Sequence, residues 1–140
     1  MKVMVLVKAT EKSEAGEMPS TEMLEAMGAY NEELVSAGIM LDGDGLRPTS
    51  HGVRIIQGGS QPEVVDGPFA ETKELLAGYW VWKVKDMDEA IEWARRAPNT
   101  GVDEGILELR PFVTAEDFGE ALTPELEAKE DELRNRTQGS

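Results

Sequence analysis

Two acids and a base stand close together around a Gly-Pro pair in residues 64–80, VVDGPFAETKELLAGYW. Asp66 precedes Gly67 and Pro68, and Glu71 and Lys73 follow shortly after. Such a group can carry general acid–base chemistry, provided a carboxylate sits where its pKa rises toward working pH. It can equally be a solvated loop whose surface ion pairs are worth little. Proline fixes its own φ and steers the preceding residue to extended conformations, so the turn has few alternatives. An aspartate there can accept backbone N–H groups. Asp66 therefore reads as a turn anchor or as a pre-organised carboxylate at a pocket mouth, and the two roles are compatible. Glu74 reads as solvated. Phe69 and Tyr79 supply an apolar wall beside the charges, a composition common at ligand-pocket edges.

Other residues suit chemistry less directly. In ILELRPF, Glu108 and Arg110 alternate with Leu107 and Leu109 and so share one strand face. Two charges there need partners or water. Lys8 and Lys83, on neighbouring strands, can supply positive charge, either as a salt-bridge network or around a polar cavity. LDGDG (41–45) resembles part of a calcium loop but lacks the later ligands and terminal glutamate, so a turn is expected. The single histidine, His51, can act as acid or base, or simply stand exposed in a polar loop. Trp80, Trp82 and Trp93 read as core or interface packing.

The totals bound the function. With no cysteine and one histidine, disulfides, thiolate catalysis and cysteine or histidine-rich metal sites are excluded, and no cofactor is expected. The formal net charge of −14 argues against direct nucleic-acid contact and anionic membranes. Eight acids and three bases fall in residues 114–140, so the acidity is spread along the chain and serves solubility. No apolar run approaches the ~20 residues of a membrane span. The N-terminal MKVMVLVKAT has too short an apolar run for a signal peptide, so a cytoplasmic location is expected.

The elements that must position these residues are legible in outline. KVMVLVKA reads as a buried strand. Ser20 caps a helix over about 20–37, with Met23, Met27, Tyr30 and Leu34 at helical spacing and Gly38 as its stop. IMLDGDGLRPTS starts as a strand and breaks at glycine and proline. GVRIIQ and PEVV around GGSQ form a hairpin, and GYWVWKV is an aromatic strand. Asp86 and Glu89 cap a helix that Pro98 stops, and residues 105–113 form the last strand. Thr123 caps a final helix with Pro124 at its first position and a thin apolar face of Leu126 and Leu133. The order predicts an α+β fold with a ferredoxin-like antiparallel sheet, an inserted hairpin and an extra C-terminal helix. It divides as a domain over 1–118 and an acidic helix and tail over 119–140.

Residues 3–7 and 79–82 are apolar on both strand faces, whereas a sheet with helices on one side should alternate. The second face therefore packs on another copy of the chain, giving a homodimer. The competing arrangement, a sheet covered by the C-terminal helix, asks much of so thin an apolar stripe.

The string DGPFAETKELLAGYWVWKVKDMDEAIEWARRAP, with MKVMVLVKA, MLDGDGLRPT and ILELRPF, resembles the DGPF-motif group of the YCII-related (YciI-like) proteins over about residues 1–118. The resemblance implies a dimeric ferredoxin-like α+β barrel and no settled activity. Some such relatives are associated with aromatic dechlorination or lyase-type chemistry through a His–Asp pair, and others accompany extracytoplasmic-function sigma factors. Here the helix position expected to carry that histidine falls near Met27, so the His–Asp chemistry is not assigned. The expectation is a small-molecule-binding dimer, which can extend to cofactor-free acid–base catalysis. Its candidate catalytic residues are Asp66, Glu71 and Lys73, with Phe69, Tyr79, Glu108 and Arg110 as ligand contacts. The alternatives are a regulatory module that engages a sigma factor and a purely structural dimer.

Overall fold

The chain opens with β1 (Lys2–Lys8), in which Val3 and Val5 are fully buried and Lys2 is exposed. The computed structural model describes residues 1–99 and 105–138. A one-turn helix, α1 (Glu11–Glu14), is closed by a capping box between Thr10 and Ser13. Then comes α2 (Thr21–Ser36), whose cap Ser20 accepts the Met23 N–H at 3.2 Å. The helix ends where Gly38 takes φ 73°, a conformation that favours glycine.

Next are β2 (Met40–Gly45), the hairpin of β3 (Val53–Ile56) and β4 (Glu63–Asp66), and β5 (Leu76–Lys83). The chain continues with α3 (Met87–Arg95), β6 (Leu107–Pro111) and α4 (Pro124–Gln138). Antiparallel pairing orders the main sheet β2-β5-β1-β6, and β3 and β4 form a separate two-stranded sheet. This is the predicted ferredoxin-like α+β arrangement with its inserted hairpin.

Register decides which face each residue serves. Val3 lies opposite Trp82, and Val5 opposite Trp80, and with Tyr30, Leu34 and Ala90 they make the core under the helices. Tyr30 meets Trp80 edge-on, ring centroids 5.8 Å apart at 76°. Its hydroxyl donates to the Trp93 carbonyl at 2.6 Å, tying α2 to α3. Burial pushes the Tyr30 phenol up to about 12.

The opposite face pairs Met4 with Val81 and Leu6 with Tyr79. These four are only half-buried, and α4 does not cover them, being exposed along its whole length. LDGDG is not a free turn. It continues β2, with Asp42 opposite Val81 and Asp44 opposite Tyr79, and each carboxylate accepts the next residue's N–H at 2.8 Å. Glycine at 43 marks close packing rather than a break, since a Cβ there would stand 2.7 Å from the Trp80 ring.

Candidate functional site

Thr49 is the joint of three segments. Its N–H and hydroxyl donate to the two carboxylate oxygens of Glu14, at 3.1 and 2.6 Å. Its hydroxyl oxygen also accepts the Phe69 N–H at 3.0 Å. One turn away, the Gly67 N–H donates to the Gly52 carbonyl at 3.0 Å. The Gly67–Pro68 peptide is cis. A Cβ on Gly67 would overlap the Thr49 carbonyl oxygen and approach its carbon to 2.7 Å, so only glycine lets the two backbones meet. Phe69 is half-buried and carries the Arg54 guanidinium 3.8 Å above its ring. The Asp-Gly-Pro-Phe corner thus clamps the one-turn 3₁₀ helix Thr49–His51 against α1.

That helix stands at the mouth of a groove of about 880 Å³ on the helix side of the sheet. One wall is α2 and another is formed by β2 and β5; residues 13–19, a strap, and residues 46–51, joined to it through Glu14 and Thr49, complete the lining. Met18, Met23, Met27 and Met40 line it, four of the chain's seven methionines, together with Trp80. Trp80 is fixed by its indole N–H, which donates to the Asn31 side-chain oxygen at 2.9 Å. Arg47, Ser50 and His51 border the mouth, and Arg47 and His51 are exposed. The strap also borders a second groove of about 700 Å³, against α3 and β6.

The residues singled out from sequence separate into distinct places. Asp66 and Glu71 are exposed and line neither groove. Among the described residues nothing donates a hydrogen bond to the Asp66 carboxylate, so the corner is anchored by Thr49 and Gly52 instead. Lys73 belongs to the 3₁₀ turn Thr72–Glu74, and its side chain lies outside what the structure describes. Phe69 faces Arg54 and lines neither groove.

Tyr79 borders the first groove through its strand, while its hydroxyl donates to Asp42 at 3.1 Å. That hydrogen bond raises its pKa. Glu108 and Arg110 lie opposite Leu6 and Met4 on the open sheet face, where Glu108 pairs with Lys8 at 3.4 Å. What sequence reasoning passed over is Arg47, Asn31 and the groove role of His51. One signal was present: Met23, Met27 and Asn31 recur every fourth residue, a helix stripe that reads as core but borders the groove.

Among the described residues no group of three or more His, Cys, Asp or Glu could hold a metal ion, and no helix is long and apolar enough to cross a membrane. Comparison with known proteins matches the YCII-related domain to residues 1–115. An uncharacterized protein of Rhizobium meliloti (strain 1021) is 34% identical over 86 residues, covering 61% of this chain and 69% of that protein.

Proposed function

The chain belongs to the YCII-related domain family, and we propose that it is a homodimer that binds a small organic molecule in the groove between α2 and the sheet. The observation that carries this reading is the groove itself. At about 880 Å³, with methionines and Trp80 in its lining and polar groups among them, it has the size and composition of a ligand site. Any acid–base step there falls to His51, whose imidazole can both give and take a proton. The exposed Asp66 and Glu71 lie on the corner that braces it, outside the groove itself.

The dimer reading rests on the open face. Met4, Leu6, Tyr79 and Val81 form an apolar centre bordered by Lys8, Lys83, Glu108, Arg110, Asp42 and Asp44. A mixed-charge rim around an apolar centre suits a two-fold contact between identical surfaces. Two such sheets facing each other would make the α+β barrel. A second reading, a module holding a basic partner such as a sigma factor, is favoured by α4, which is exposed throughout and carries five acids between Glu125 and Glu132.

The test of the groove is a fluorescence titration with phenylnaphthylamine, a neutral apolar dye excited directly and brightened on leaving water. One dye per chain is expected, and Met27→Trp, which fills the groove, should weaken binding about tenfold or more. Absence of saturable binding, or binding indifferent to Met27→Trp, refutes the ligand reading and leaves α4 as the feature to pursue.

A further inference from the structure

We propose that the groove takes an amphipathic organic anion, its apolar body along the methionine wall and its acid group between Arg47 and His51. This rests on the groove being the binding site and adds the chemical class of the ligand.

The groove lining holds three carboxylates, Glu14, Glu17 and Asp44, and two groups that can meet an anion, Arg47 and His51. Glu14 lines it, but both of its oxygens are engaged by Thr49. Asp44 lines it through its strand only. Its pairing with Tyr79 places its side chain on the opposite sheet face, and its carboxylate accepts the Gly45 N–H. Glu17 is exposed on the strap. Arg47 and His51 both line the groove from one short segment, with Ser50 between them in sequence. Among the described residues neither the guanidinium nor the imidazole has an ion pair or a side-chain hydrogen bond.

The segment that carries them is held in place. Thr49 is bonded to Glu14 and Phe69, and Gly52 to Gly67, so the backbone that carries these donors is held before a ligand arrives. A guanidinium offers the flat fork that fits a carboxylate or sulfonate. The body of the ligand then meets Met18, Met23, Met27 and Met40, flexible and polarisable side chains that accommodate varied apolar shapes, and the Trp80 ring. The whole-chain charge of −14 repels anions, so any preference for one must come from these local donors.

The experiment compares two dyes with one ring skeleton on the full chain: neutral phenylnaphthylamine, and anilinonaphthalene sulfonate, which adds a single anionic group. The anionic dye should bind about tenfold more tightly than the neutral one, and Arg47→Gln should remove that preference while leaving the neutral dye's affinity in place. His51→Gln should remove part of it. Both side chains are exposed, so neither substitution threatens folding. If the neutral dye binds and Met27→Trp weakens it, but the anionic dye binds no better, or its advantage survives Arg47→Gln, the anion inference is overturned while the groove reading stands. If neither dye binds, both are overturned.

Discussion

Gly67→Ala tests the clamp directly, and its magnitude can be worked from the geometry. The added Cβ would overlap the Thr49 carbonyl oxygen and stand 2.7 Å from its carbon. Both atoms are backbone, so no side chain can swing aside. Gly67 does not occupy a positive-φ conformation, so alanine's own backbone preferences are not the source of cost. Forcing an extra methyl into filled space costs about 1–3 kcal/mol. Parting the two segments also stretches Gly67 N–H to Gly52 O and Phe69 N–H to Thr49 Oγ1, each 3.0 Å, at about 1 kcal/mol apiece. The stiffer unfolded chain returns ~0.4–1 kcal/mol. The net expectation is a loss of about 3 kcal/mol, and for a chain of this length about 10 °C in melting temperature.

Gly28→Ala is the matched control. Position 28 lies inside α2 with nothing within 4 Å of a new Cβ, so the same substitution should stabilise by ~0.5–1 kcal/mol. Thermal melts by circular dichroism read both variants, and amide exchange at Phe69 reads the corner locally. A Gly67→Ala protein with the parent's melting temperature and the parent's Phe69 exchange rate refutes the clamp.

Tyr30→Phe removes the hydroxyl bonded to Trp93 at 2.6 Å and should cost about 1–2 kcal/mol at neutral pH, read by urea unfolding. The folded phenol titrates at about 12 against an ordinary 10.0, so the folded state keeps a proton the unfolded chain gives up. Its contribution is complete below pH 10 and lost as pH rises toward 12, and Tyr30→Phe should flatten that slope. Light scattering at micromolar protein should give about twice the 15.4 kDa chain mass. Leu6→Asp, a change on the open face away from the buried Val3 and Val5, should give a folded monomer. Asp66→Asn and Glu71→Gln, both at exposed carboxylates, should each shift the melting temperature by no more than about 2 °C. A larger fall for Asp66→Asn alone would restore that carboxylate as the turn's anchor.

Sequence periodicity was enough for the scaffold because each element buries one patterned face. Val3, Val5, Trp80 and Trp82 alternate as strands, Tyr30 and Leu34 recur as a helix, and Ser20, Gly38 and Asp86 punctuate them. The hairpin followed from GGSQ between two β-rich runs. The same local logic misjudged LDGDG. Glycine there signals the approach of the Trp80 ring from the neighbouring strand, a contact no window of sequence contains. The groove was illegible for a related reason. Its walls come from segments that meet only in the fold: the strap, α2, the sheet edge and the turn after β2. The methionines that line it have the spacing of core residues, and nothing in a helical stripe tells a filled interior from a cavity wall.

The Asp-Gly-Pro-Phe corner shows how a motif can be informative about a site without being in it. Its residue types suggest proton transfer, because carboxylates and an amine beside aromatic rings are what such chemistry uses. In the fold its glycine and the Phe69 amide have another task, closing against Thr49 and Gly52. Substituting Gly67 should therefore disturb the groove at a distance, since it loosens the short helix that ends in His51. A dye titration on Gly67→Ala below its melting temperature separates this from loss of fold. Affinity for the anionic dye should fall more than affinity for the neutral one, because the backbone carrying Arg47 and His51 loses its brace while the methionine wall on α2 keeps its place. Equal losses for the two dyes would mean that the corner supports the fold as a whole and does not set the mouth.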